Sequence, residues 1–165
     1  MKCLNIGCGS DYKQSKAGEV EWINIDKDIN VKADERMNVI ELHNKYESQI
    51  DYILAQDILE HIRYDDSDKT MWKDCLRSWY KCLKIGGTIQ IQVPDPYAIF
   101  EQFKNGEISE SEMIRLVYGE NTNEYDKHYQ LISLARLAEY LEEIGFRIIT
   151  KKRLNICAII NAIRD

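Results

Sequence analysis

The chain has 165 residues, 44% of them apolar, enough for one hydrophobic core and too few for two, so residues 1–165 are expected to form a single domain. A net charge of −6 argues against broad nucleic-acid affinity, which rests on neutralising phosphates, and no apolar run approaches the ~20 residues of a membrane span. The N-terminus enters a strand directly, and the five cysteines (Cys3, Cys8, Cys75, Cys82, Cys157) show no Cys-X-X-Cys or Cys/His ligand spacing, which indicates buried thiols in a cytoplasmic protein and no metal site.

Strand and helix patterns then alternate along the chain. Residues 3–6 and 22–25 are short apolar runs that read as the first two strands. Residues 32–42 are read as a short third strand followed by a polar connection, and residues 52–55 as the fourth strand. A helix follows, with Trp72, Leu76, Trp79 and Leu83 on one face, and closes at Gly86-Gly87. Residues 88–93 alternate polar and apolar, the mark of a further strand. Residues 94–130 form a long, aromatic-rich connection. Leu134, Leu137, Ala138, Leu141 and Ile144 then mark a helix that stops at Gly145. Residues 146–150 and 156–160 close the chain as two strands, with the basic Lys151-Lys152-Arg153 in the turn between them. So short a connection requires an antiparallel pair. The remainder predicts a doubly wound α/β sheet, mostly parallel.

The most informative segment is Gly7-Cys8-Gly9 at the end of the first strand, with Asp26 at the end of the second. Glycines allow a tight turn and close approach to a ligand, and the acid can accept hydrogen bonds from both hydroxyls of a ribose. The pair therefore proposes a site for an adenosine-containing cofactor. A dinucleotide fingerprint needs a third glycine where this chain has Tyr12, and a helix N-terminus to hold the pyrophosphate. Residues 10–18 are polar without an apolar helical face and read as a loop. A nicotinamide-dependent oxidoreductase is disfavoured on both counts, whereas a cationic, phosphate-free cofactor loses nothing.

Four segments in order now resemble a known family: Leu4-Asn5-Ile6-Gly7-Cys8-Gly9, Ile23-Asn24-Ile25-Asp26, Gln56-Asp57-Ile58-Leu59-Glu60-His61 and Leu83-Lys84-Ile85-Gly86-Gly87. They are similar to successive motifs of class I S-adenosylmethionine-dependent methyltransferases, above all to small methyltransferase-domain proteins associated with glycan or lipopolysaccharide biosynthesis. The resemblance implies a Rossmann-like, minimal methyltransferase core with a C-terminal antiparallel strand, and S-adenosylmethionine as cofactor. It places Gly7, Cys8 and Gly9 under the methionine part and Asp26 on the ribose. It places Asn38 at the adenine amino group, a role that a shift of alignment would hand to Asp34, and sets Gln56, Asp57 and Ile58 on the far side of the cofactor. Ile85 stands where the family usually has proline, Asn38 where it usually has aspartate, and the first helix of the fold is nearly absent.

Methyl transfer is an in-line displacement on an activated carbon, so alignment carries much of it, and a base is needed only when the nucleophile holds a proton. His61 and His128 are the candidate bases, while His43 lies in a polar stretch and reads as a surface residue. Glu60 and Asp95, and Tyr118, Tyr125 and Tyr129, are candidates for binding the acceptor. Pro94-Asp95-Pro96-Tyr97 has the wrong order and position for a DNA amino-methyltransferase motif. The resemblance implies a small-molecule or glycan-like substrate methylated at oxygen, and neither nucleic acid nor membrane is expected as a partner. A non-catalytic cofactor-binding regulatory or partner subunit is the alternative.

Overall fold

The computed structural model describes residues 1–63, 71–122 and 125–165. Among them, strands β1 (Lys2–Ile6), β2 (Glu21–Ile25), β3 (Ile50–Gln56), β4 (Leu83–Pro94), β5 (Phe146–Leu154) and β6 (Cys157–Arg164) form one sheet in the order β2-β1-β3-β4-β6-β5. Helices are α1 (His43–Tyr46), α2 (Met71–Cys82), α3 (Pro96–Lys104), α4 (Glu110–Tyr118) and α5 (Leu134–Ile144), with a 3-10 turn at Leu59–His61. β1 to β4 are parallel, and β6 runs antiparallel to both β4 and β5. The expected Rossmann-like, mostly parallel sheet is therefore present, and its reversed strand belongs to the C-terminal hairpin. No helix among the described residues is long and apolar enough to cross a membrane.

Alternation along the strands gives the sheet two unlike faces. Leu4, Ile6, Ile53, Ile89, Ile91 and Ile160 pack with Trp72, Leu76 and Trp79 of α2 and Leu137 and Leu141 of α5 in one core. Each of these buried side chains contributes roughly 1.5–3 kcal/mol. The opposite face over β1 and β2 carries Asn5 and Asn24, paired in register and both buried. Asn5 Nδ2 donates to Asn24 Oδ1 at 3.0 Å and to the Asp11 carbonyl at 2.7 Å. The Lys13 N–H donates to Asn24 Oδ1 at 2.8 Å, and Asn24 Nδ2 donates to the Lys13 carbonyl at 3.0 Å. Two buried amides thus hold down the loop that stands where a doubly wound sheet would carry its first helix.

Several expectations from the sequence are corrected. Residues 32–42 form no strand; their sheet contact is a single bridge between Ile25 and Glu35. Asp34 there, although exposed, accepts from the Asn24 N–H at 2.8 Å and from Asn24 Nδ2 at 2.9 Å, which ties the segment to β2 through a side chain instead of a backbone ladder. α2 ends at Cys82 rather than at the glycines, and Leu83 begins β4. The N–H groups of Ser48 and Gln49 bond the Lys81 and Cys82 carbonyls, and Arg164 Nη1 donates to the carbonyls of Tyr80, Lys81 and Leu83. Those bonds consume the acceptors that another helical turn would need. Residues 94–130 contain α3, capped by Asp95, and α4, capped by Ser109. Lys151, Lys152 and Arg153 lie within β5, an exposed edge strand whose charges discourage pairing with another chain. His43 is half-buried, and its Nδ1 lies 3.0 Å from Ser78 Oγ.

The turn after β1 packs against the residue just past β3. Gly7 has φ +62°, and a Cβ there would lie 2.3 Å from Ile58 Cδ1. Gly7→Ala is expected to cost about 2 kcal/mol in urea denaturation, from overpacking and left-handed strain. Adding Ile58→Ala should recover part of that loss; strictly additive costs would contradict the contact. Asn24→Ala should cost about 2–3 kcal/mol, because Lys13 and Asp34 lose their partners. An unchanged urea midpoint would show that the loop is held by something else.

Candidate functional site

A cleft of about 250 Å³ opens where β1, β2 and β3 end. The turn after β1 contributes Gly7 and Gly9, and the segment after β2 contributes Asp26, Lys27, Asp28 and Val31. Met37, Asn38 and Val39 close one side. Asp57, Ile58, His61 and Ile62 close another, and Tyr125 and Asp126 complete the rim. Parallel α/β sheets place ligands at this end of their strands.

Asp26 joins two of these turns. The Gly9 N–H donates to its Oδ2 and the Asp28 N–H to its Oδ1, both at 2.9 Å. Each oxygen keeps a lone pair for a further donor. Gly9 has φ +48°, and a Cβ built on it meets nothing within 4 Å, so the backbone there faces open space. Asn38 Oδ1 accepts from the Ile40 N–H at 3.2 Å and likewise keeps acceptor capacity toward the cleft. Asp34 is not in the wall; besides Asn24 it binds the Tyr12 hydroxyl, which donates to Oδ1 at 2.5 Å. Gly7, Gly9, Asp26 and Asn38 thus line one cleft with acceptor groups and open backbone toward it.

Across the cleft, Asp57 holds φ +49°, an uncommon conformation for a residue with a side chain. Its Oδ2 accepts from Gln92 Nε2 at 2.9 Å, and burial raises its pKa. His61 Nδ1 lies 3.0 Å from the Lys127 carbonyl and His128 Nδ1 lies 3.0 Å from the Leu116 carbonyl. A carbonyl can only accept, so each Nδ1 carries the proton and each Nε2 keeps a free lone pair. The two rings meet edge to face with centroids 4.8 Å apart. Burial lowers the pKa of both, with His128 adding to the effect on His61, so neutral imidazoles are favoured. Glu60 beside them is 1% exposed, and burial followed by the charge of Asp57 pushes its pKa well up.

The structure therefore brings Gly7, Gly9, Asp26, Asn38, Asp57, Ile58, His61 and Tyr125 to one cleft wall. The other candidates lie elsewhere. Cys8 is buried with its Sγ donating to the Lys32 carbonyl at 3.5 Å, and burial pushes its thiol up to about 11. Gln56 ends β3 outside the wall. Asp95 is fully buried and accepts from the N–H groups of Tyr97, Ala98 and Leu134, with Arg153 Nε at 3.2 Å; it ties helices together and has no face toward the cleft. Tyr118 is 61% exposed at the end of α4, and the Tyr129 N–H donates to the Glu60 carbonyl behind the wall. His128 stands behind His61 rather than in the wall itself. Lys27, Asp28, Val31, Met37 and Ile62 were not singled out from the sequence. Asp28 had a readable signal, since an Asp-X-Asp spacing suits a side chain that bonds the backbone two residues on.

A family model described as a methyltransferase domain matches residues 1–151. Among solved structures, a SAM-dependent methyltransferase from Methanosarcina mazei is 16% identical, with TM-score 0.67 over 99% of this chain and 92% of that one. One from Archaeoglobus fulgidus is 17% identical, with TM-score 0.62 over 98% and 85%. One from Aquifex aeolicus is 12% identical, with TM-score 0.65 over 100% and 82%. No curated protein sequence matches. At these identities the structures speak for the fold, and the family model speaks for the kind of protein. The chain belongs to the methyltransferase-domain family and is a methyltransferase.

Proposed function

We propose that the enzyme methylates a hydroxyl oxygen of a small-molecule or glycan-like acceptor in the cytoplasm. S-adenosylmethionine is the cofactor, and it supplies a methyl group on a sulfonium, activated for displacement. Asp26 holds the ribose hydroxyls, Gly7 and Gly9 leave room for the amino-acid part, and Asn38 meets the adenine edge. Asp57 and Ile58 bound the opposite side.

The observation that carries the acceptor assignment is His61, a neutral imidazole on the wall of the cofactor cleft with His128 stacked behind it. An oxygen acceptor must shed a proton as it becomes a nucleophile, and such a pair is suited to activating it. Tyr125 lies on the rim, with the Lys27 ammonium 4.8 Å from the centre of its ring. Asp26, Asp28, Asp57 and Asp126 make the cleft acidic, which favours a sulfonium cation and disfavours a phosphate-rich acceptor such as nucleic acid. The cysteines are free thiols, in keeping with a reducing compartment.

Calorimetry with S-adenosylhomocysteine should show one site per chain. Asp26→Ala should weaken it by about 100-fold or more, the value of a lost pair of charge-assisted hydrogen bonds at roughly 1.5–3 kcal/mol each. Transfer of labelled methyl from S-adenosylmethionine to hydroxylated small molecules should fall sharply in His61→Ala. Transfer confined to amines or to nucleic acid would overturn the acceptor assignment.

A further inference from the structure

Glu60 is the most anomalous side chain in the molecule. It is 1% exposed, yet neither carboxylate oxygen has a hydrogen-bond partner among the described residues. A buried carboxylate without a donor is costly unless it is protonated or neutralised by a cation. One ligand atom from each of Glu60, His61 and His128 lies within 4.8 Å of the other two. Small side-chain rotations bring such atoms to the roughly 3.3 Å that separates two ligands of one tetrahedral ion.

We infer that Glu60, His61 and His128 hold one divalent transition-metal ion at the edge of the cofactor cleft. The imidazoles are already prepared for it. Each donates its Nδ1 proton to a backbone carbonyl, Lys127 for His61 and Leu116 for His128, which fixes the ring and leaves Nε2 as the nitrogen with a lone pair for a metal. Histidines bound to metals are oriented in this way. Two nitrogens and one carboxylate suit Zn²⁺, Co²⁺ or Mn²⁺, whereas Mg²⁺ prefers an all-oxygen shell. Three protein ligands leave a coordination position open, and His61 sets it beside the cleft.

This site deepens the proposed methylation and rests on it for its purpose. A hydroxyl of the acceptor in the open position loses its proton to water more readily, as metal-bound water does. Its oxygen then forms a bond to the methyl carbon while the carbon–sulfur bond breaks, its electron pair remaining on sulfur. On this account the histidines activate the acceptor through the ion, and the favoured substrates are those whose hydroxyls chelate a metal. The reading of cysteines and histidines by spacing shows no such site, because His128 joins the other two only through the packing of the segment after α4 against the 3-10 turn.

Chelator-treated protein titrated with Zn²⁺ by calorimetry and with Co²⁺ by visible absorption tests the inference. The expected result is one ion per chain, a raised Tm, and at least a tenfold loss of affinity in Glu60→Gln and in His128→Gln. His128→Gln, on a half-buried ring, keeps the test open should Glu60→Gln fail to fold. Absence of stoichiometric binding, or unchanged affinity in both variants, overturns the site. S-adenosylhomocysteine titrated into the same samples separates the two readings: its binding without metal binding overturns the ion site alone, and metal binding without any response to it upholds the ion site and overturns the methyltransferase reading of the cleft.

Discussion

The carboxylate of Asp26 accepts one backbone N–H from the turn after β1 and another from the turn after β2, each at 2.9 Å. Charge-assisted bonds of this kind are worth roughly 1.5–3 kcal/mol each, and here both act on loop backbone that would otherwise be free to move. The Cys8 N–H reinforces the junction by donating to the Ile25 carbonyl at 3.1 Å. Gly7 then fits against Ile58, which couples the same turn to the end of β3. Three strand ends are in this way set around one cleft before a ligand arrives. Preorganisation of that sort reduces the ordering cost of binding.

The second constraint is the absence of a helix after β1. A helix N-terminus there would favour phosphate, and its loss leaves an acidic cleft suited to a cation. Loop 10–20 takes over the covering of β1 and β2 without an apolar face, since Asn5 and Asn24 satisfy its backbone groups from the sheet below. A sheet position normally given to packing is here given to hydrogen bonding. The consequence is a small fold whose cofactor end is held mainly by polar contacts, while α2 and α5 cover the apolar core on the other face.

Much of this architecture was legible in the residues, for identifiable reasons. Strand alternation in Ile89, Ile91 and Val93 and the helical spacing of Leu134 to Ile144 each follow from which side chains the sheet buries. Gly7, Gly9 and Asp26 could be read because their chemistry is local. Asp95 was misplaced because a carboxylate at a strand end looks the same whether it meets a substrate or caps α3, and the contacts from Tyr97, Ala98 and Leu134 distinguish the cases. The helices α3 and α4 were hidden by exposed Tyr97, Phe100, Phe103 and Tyr118, which blur the apolar face that marks a helix. The convergence of Glu60, His61 and His128 is a property of tertiary packing alone.

The account stands or falls on Asp26 as the ribose-binding group of a site assembled from three strand ends. A crystal structure with S-adenosylhomocysteine is the most direct test. The account predicts both ribose hydroxyls donating to the Asp26 carboxylate, with the Gly9–Asp26 and Asp28–Asp26 bonds retained and the adenine beside Asn38. A nucleoside bound elsewhere, or one that reaches the cleft without touching Asp26, would contradict it.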